Sequence, residues 1–323
     1  MDIFSAIIIL IGSLLLLIWG GDKFVDASIA ISKKLKIPPA IVGATITSIG
    51  TTLPELLVTI FASSGESSGL AVGNALGSIA FNGAVIGGIL LIFSTIRLKD
   101  TGKTSSILLI FSLFLTFAMC LDKNVAIWEC CILIIMFVIF MVLNYKTAKQ
   151  ATDDVQYNIE KINKSIGTYL VQFLISSSAI AVGAYFLVDK AKFLAGMAGL
   201  SETLIGLTIV SIGTSLPELI TTINSIRKKQ SGLGLGNIIG SNIINCTLLM
   251  SLSGIISSGG NGLMVDNQTL FVTLPIATII CLILLLPTLI KKKSKKWQGI
   301  TLICLYLAYY TFLILNGTGV IYF

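Results

Sequence analysis

Apolar residues in this chain come in long blocks separated by short polar interruptions. The blocks fall at approximately 3–32, 38–64, 69–95, 104–121, 125–144, 166–188, 203–226, 232–257, 268–290 and 298–319. Each approaches or exceeds the ~20 residues that cross a bilayer core. Inside lipid a backbone N–H or C=O finds no water, so segments of this kind must bond internally as helices. The pattern predicts an all-α membrane protein of ten transmembrane helices. The first block runs through Gly20, Gly21, Asp22 and Lys23, so it is expected to tilt and to finish amphipathically at the interface. No basic stretch precedes that block, so it is expected to be retained and not cleaved as a leader.

Composition agrees with the blocks. Of 323 residues, 55% are hydrophobic and only 11% charged, against about 25% charged in soluble domains. The longest polar stretch, roughly Asn144 to Lys164, is too short and too charged to fold alone. It reads as a linker, 145–165, between a first five-helix unit at 1–144 and a second at 166–323. Histidine is absent, which removes the commonest proton shuttle and transition-metal ligand. The six cysteines, Cys120, Cys130, Cys131, Cys246, Cys281 and Cys304, show no metal-ligand spacing and are expected to be small core residues.

The net charge of +7 is explained by topology. Numbering the loops alternately sorts the cations. One side holds Lys33, Lys34 and Lys36, then Arg97, Lys99 and Lys103, then Lys146, Lys149, Lys161 and Lys164. It continues with Arg227, Lys228 and Lys229, then Lys291, Lys292, Lys293, Lys295 and Lys296, giving 18 of the 22. The positive-inside rule makes that side cytoplasmic and both termini extracellular. The excess then faces anionic lipid, and no nucleic-acid partner is implied.

An internal repeat emerges on shifting the sequence by 163 positions. Gly43–Asn82 and Gly206–Asn245 then align without gaps, and 21 of 40 positions are identical. GATITSIGTTLPELL pairs with GLTIVSIGTSLPELI, and GLAVGNALGSIAFN with GLGLGNIIGSNIIN. Shared apolarity cannot place Gly, Pro, Glu, Asn and Ser at the same spacing twice. Five spans per repeat, an odd number, orient the copies oppositely. Ser64-Gly65-Glu66-Ser67 aligns with Arg227-Lys228-Lys229-Gln230, so one loop position carries opposite charge in the two copies. Inverted repeats of this kind mark secondary transporters that bind their substrate at the repeat interface near mid-membrane.

Two carboxylates, Glu55 and Glu218, lie deep in apolar spans, each directly after a proline. An ionised group at mid-bilayer costs roughly 2.5–3.5 kcal/mol and usually faces the bundle interior. Pro54 and Pro217 lack an N–H and free carbonyls one turn earlier, near Gly50–Thr51 and Gly213–Thr214. With the hydroxyls of Thr51 and Thr214 these form a set of hard oxygens, the donors that Ca2+ and Na+ prefer. The paired GNxxGS segments supply a second wall. Their glycines permit close helix approach, while Ser78 and Ser241, and one turn later Asn82 and Asn245, share a polar face. Two glutamates match the charge of one Ca2+ or two Na+, and no Lys or Arg lies at comparable depth.

GTTLPE, GTSLPE and the paired GNxxGS elements resemble the Ca2+/cation antiporter superfamily, in particular its Na+/Ca2+ exchanger branch of prokaryotic type with two α-repeats. The resemblance implies a Ca2+ site made by Glu55, Glu218, Thr51 and Thr214. It implies Na+ sites at Ser48, Thr51, Thr52 and Ser78 on one side and Ser211, Thr214, Ser215 and Ser241 on the other, with Asn82 and Asn245 in the middle. It also implies exchange of three Na+ per Ca2+ at shared glutamates, with no cofactor and a chain functional as a monomer. Access would change by the first and sixth spans sliding over the other eight. This sequence departs from the family pattern at Asn245, where an acid is common, which argues against K+ co-transport. It departs also at Ser48 and Ser211, where alanine is usual.

Three other readings compete, of which a passive channel is disfavoured because the ligand set reads as a closed cage and not a ring. A H+-coupled antiporter of Ca2+ or another divalent cation would typically carry GNxxE with histidine nearby; here the motif is GTxxPE and histidine is missing. An intramembrane lipid phosphatase would want an Arg or Lys cluster at its acids, and the repeat spans contain none. No enzymatic activity is therefore expected.

Overall fold

The computed structural model describes residues 3–35, 37–64, 68–97, 100–151, 165–196, 206–257 and 262–317. Lys36, Lys99, Lys161 and Lys164, the aligned loop residues 65–67, and most of the expected linker, 152–164, lie outside these.

The fold is a helical bundle. Its first part contains α1 (Ile3–Leu35), α2 (Pro39–Val42), α3 (Ser48–Thr51), α4 (Leu53–Ser64), α5 (Ser68–Phe81) and α6 (Gly87–Phe93). After these come α7 (Asp100–Met119), α8 (Ile127–Ala151) and α9 (Ile166–Gly196). Then follow α10 (Ser211–Thr214), α11 (Leu216–Arg227), α12 (Ser231–Ile244), α13 (Met250–Ile256), α14 (Leu274–Lys291) and α15 (Lys296–Gly317). Seven helices among the described residues are long and apolar enough to cross a membrane, eight if the pair Ala40–Thr51 and Leu53–Ser64, bent by 43°, is one span. α8 continues to Ala151, past the expected end at Asn144, because its last turns stay helical as they become polar.

Several pieces are joined by π-helical turns, at Gly43–Thr47, Asn82–Ile86, Gly206–Val210, Asn245–Leu249 and Thr269–Thr273. The first four fall in two pairs 163 residues apart, and the boundaries of α3 to α6 recur at α10 to α13 with the same shift. Even the break residues agree: Thr52 has φ −84° and ψ 4°, and Ser215 has φ −85° and ψ 3°. A proline two residues further on in each copy explains why the helix breaks at that point.

The bundle is apolar outside, and its interior combines an apolar core with fully buried polar side chains. Leu15, Phe93, Trp128 and Phe271 face outward, while Thr47, Ser78, Asn74, Asn237 and Thr247 are fully buried. The apolar windows of the Gly69–Phe93 and Ser231–Ile256 helices are 78% and 83% buried, against 22% for Ile166–Gly183, so the two GNxxGS segments occupy the centre. Four cysteines are buried as expected. Cys131 and Cys304 are instead exposed, because they lie on the outward faces of α8 and α15.

Outside the spans, Asn124–Val125 pairs antiparallel with Leu263–Met264, and Arg97 bridges to Lys293. These contacts put the 122–126 and 262–265 connections at one end of the bundle, and the 94–97 and 292–295 connections together as well.

Candidate ion-binding site

Each central helix lies across the broken helix of the other repeat, and glycine makes the approach possible. A Cβ on Gly77 would stand 2.7 Å from Ser211 Oγ and 2.8 Å from Leu207 O. A Cβ on its equivalent, Gly240, would collide with Ala44 O and Ser48 Oγ. The contact set is reciprocal, as a two-fold relation between the copies requires.

Glu55 and Glu218 sit at this crossing, both with no exposed surface. Each reaches into the other repeat. Ser215 Oγ donates to Glu55 Oε1 at 3.2 Å, and Thr52 Oγ1 lies 3.2 Å from Glu218 Oε1. Ser241 Oγ donates to the same Glu218 oxygen at 3.1 Å and is 2.9 Å from Thr52 Oγ1, closing a triangle. Thr51 Oγ1 donates to Asn237 Oδ1 at 3.1 Å, and its equivalent Thr214 Oγ1 to Asn74 Oδ1 at 3.0 Å. Asn74 Nδ2 in turn donates to the backbone oxygen of Glu55 at 3.3 Å, tying the first carboxylate's helix to α5.

Ser48 and Ser211 spend their hydroxyl protons on carbonyls one turn back, those of Ala44 and Leu207. Each hydroxyl oxygen keeps its two lone pairs. Ser78 donates to Ser211 O at 3.4 Å and so does not mirror the Ser241 contact to glutamate. The Gly50 carbonyl, which loses its helical donor at Pro54, accepts from Ser177 Oγ of α9 at 3.4 Å.

The unpartnered atoms are the most informative. Glu55 Oε2, Glu218 Oε2, and both amide atoms of Asn82 and of Asn245 are buried without a hydrogen-bond partner. Leaving one such polar group dry costs about 1–3 kcal/mol, and more for a charged one. Carboxylate oxygens and amide carbonyls are the donors that a hard cation coordinates. The described residues hold no group of three or more His, Cys, Asp or Glu, so only these two acids and neutral oxygens furnish such a site.

Asn74 and Asn237 were not among the residues expected to line the site. Their signal was present, since GN recurs in both copies, but spacing alone does not reveal that they orient Thr214 and Thr51.

The sequence profile of the family described as "Sodium/calcium exchanger protein" matches residues 5–146 and 168–315. The chain belongs to this family. The sodium/calcium exchanger MaX1 of Methanosarcina acetivorans is 29% identical over 342 aligned positions, covering 94% of this chain and 96% of that protein. The membrane protein MJ0091 of Methanocaldococcus jannaschii is 33% identical, covering 91% and 93%. Among solved structures, the sodium-calcium exchanger NCX_Mj soaked with Na+ and Sr2+ superposes with TM-score 0.82 at 28% identity. That match covers 96% of this chain and 99% of the other. In this member of the exchanger family, the stretch 147–167 left unmatched between the two profile segments begins in the last turns of α8 and ends in the first turn of α9.

Proposed function

We propose that the protein is a secondary active antiporter that exchanges Na+ for Ca2+ across the cell membrane by alternating access. The supporting observation is the pair of fully buried carboxylates, each held through one oxygen by a hydroxyl of the opposite repeat and each with its second oxygen unpartnered. Two negative charges confined in this way need cations, and a single Ca2+ or a pair of Na+ balances them.

In this reading Glu55, Glu218, Thr51 and Thr214 bind Ca2+. Ser48, Thr52, Ser78, Ser211, Ser215 and Ser241 complete flanking Na+ sites, with Asn82 and Asn245 between them. Because both ions need the same glutamates, they exclude one another. Three Na+ move per Ca2+, and K+ is not required because Asn245 brings no third charge. The chain has ten spans in two inverted repeats, 1–144 and 166–323, around the 145–165 linker, with both termini outside. The reciprocal hydrogen bonds support a two-fold axis, and an odd number of spans per repeat lays that axis in the membrane plane. The pairing of Arg97 with Lys293 at one end is consistent with the basic loops sharing the cytoplasmic side.

The test is Ca2+ uptake into proteoliposomes driven by an outward Na+ gradient with a protonophore present. The proposal requires uptake that follows Na+ and ignores ΔpH; uptake that follows ΔpH and ignores Na+ refutes it and favours proton coupling.

A further inference from the structure

α1 and α9 pack against each other at the edge of the main core. The main apolar core, built from α5 to α8 and α12 to α15, includes no residue of either helix. Leu17, Phe24 and Ile180 make a separate small cluster on which Leu216 and Ile220 of α11 pack, and Val25 of α1 joins Val42 and Leu233 in another. Glycines seat the two helices directly on each other, Gly20 against Ile180 and Ser176 O, and Gly183 against Leu17 and Ser13 O. Close small-residue contacts bind the pair together in lipid, while it meets the rest of the bundle through small apolar clusters and two hydroxyl contacts, Thr47 Oγ1 to Ser28 Oγ at 3.3 Å and Ser177 Oγ to Gly50 O at 3.4 Å.

One charged attachment joins this unit to the bundle. Lys228 Nζ lies 2.7 Å from Asp22 Oδ1 and 2.9 Å from Asp26 Oδ1, and it donates to Asp22 O at 3.2 Å. Asp22 and Asp26 are one helical turn apart on α1, so a single ammonium spans both. Among the described residues, every ion pair between separate elements is made by Lys228. Its position is fixed by the end of α11. Lys228 N bonds to Asn224 O, Lys229 N to Ile226 O and Gln230 N to Ser225 O, with Lys229 at φ 55° closing the turn. Ten residues before Lys228, in the first turn of α11, stands Glu218.

The other half of the molecule cannot build this contact. A shift of 163 maps Lys228 to Gly65, Asp22 to Tyr185 and Asp26 to Asp189. Two related halves would otherwise favour access from either side about equally. The clamp therefore adds free energy at one end only.

We propose that Lys228, bridging Asp22 and Asp26, is a one-sided gate clamp that holds the α1–α9 unit against the end of α11 and sets the difference in apparent ion affinity between the two faces. The sidedness rests on the exchange function and topology proposed above: the clamp shuts the cytoplasmic end, and releasing it favours the inward-open state.

The experiment compares wild type, Lys228→Gln and a charge-swapped protein carrying Lys228→Asp, Asp22→Lys and Asp26→Lys. Hydrogen–deuterium exchange of residues 15–30, read on the purified protein, reports the clamp independently of any cargo. In sided membrane vesicles, the half-saturating Ca2+ concentration is measured at each face. Pairs of this exposure shift an equilibrium by about two- to fivefold. The expected result is faster exchange in Lys228→Gln, with half-saturation falling by that factor at the cytoplasmic face and rising at the other, and both restored by the swap. Unchanged exchange, or half-saturation moving the same way at both faces, overturns the clamp. Faster exchange in a protein whose wild type shows no Na+-dependent Ca2+ flux keeps the clamp and rejects the proposed function instead.

Discussion

Replacing Gly77 by alanine drives a methyl group into the crossing between α5 and the Gly206–Thr214 segment. The new carbon would stand 2.7 Å from Ser211 Oγ, 2.8 Å from Ser211 Cβ and 2.8 Å from Leu207 O, where ordinary contact begins at 3.4 Å. A backbone carbonyl cannot rotate aside, so the facing segment must retreat by roughly half an ångström, a degree of overpacking that costs about 1–3 kcal/mol. Retreat also stretches the Ser78–Ser211 bond, already 3.4 Å, and draws Ser215 away from Glu55. Gly232→Ala is the matched control. Its Cβ would meet nothing closer than Ala40 at 3.9 Å, and alanine is intrinsically the better helix former by up to about 1 kcal/mol. Thermal unfolding of both variants in one detergent at one scan rate provides the comparison. At about 2–4 °C per kcal/mol, Gly77→Ala is expected to melt several degrees lower and Gly232→Ala at or slightly above wild type. Saturating Ca2+, which at a hundredfold excess over Kd adds about 2.7 kcal/mol to a binding-competent protein, should rescue Gly77→Ala less than it raises wild type. Equal melting temperatures for Gly77→Ala and wild type would show that this close approach does not set the geometry of the crossing.

Three further outcomes follow from the same contacts. Glu55→Gln and Glu218→Gln are each expected to abolish Na+-dependent Ca2+ flux while the protein still inserts and remains monodisperse; wild-type flux in either would make that carboxylate a bystander. Ser215→Ala should weaken Ca2+ more than Thr52→Ala, because Glu55 Oε1 then loses its hydroxyl donor whereas Glu218 Oε1 keeps Ser241. A hydrogen bond to a charged group contributes about 1.5–3 kcal/mol, so half-saturation in Ser215→Ala should rise at least tenfold, and equal effects of the two changes would contradict the asymmetry. Asn245→Asp adds a third buried acid and should change the Na+ and K+ dependence of flux more than the melting temperature; unaltered ion dependence removes the role given to that position.

Much of this was legible in the sequence because lipid imposes simple rules. Long apolar runs had to be helices, and a buried glutamate recurring after proline had to be accommodated by polar neighbours. The 163-residue shift located both copies of the site, and it maps α3 to α6 onto α10 to α13 residue for residue. What escaped was determined by direction and not by residue type. Asn82 and Asn245 open π-helical turns, insertions that re-aim side chains without any composition signal. Asn74 and Asn237 were visible as repeated letters, yet only the crossing shows that each meets a threonine of the other repeat. Asp22 and Lys228 lie far apart in sequence and were read as a helix end and a basic loop, because a contact across 206 positions leaves no periodicity to detect. Cys131 and Cys304 were placed inside on residue type, although in a membrane the outward face accepts a small apolar thiol as readily as the core does.

Whether Glu55 and Glu218 together hold one Ca2+ at a site that Na+ can take instead is decided by equilibrium binding of radiolabelled Ca2+ to the purified protein. The expected result is one tightly held Ca2+ per chain, displaced as Na+ rises, and absent from both Glu55→Gln and Glu218→Gln. Tight Ca2+ binding that survives either substitution, or that is indifferent to Na+, would contradict it.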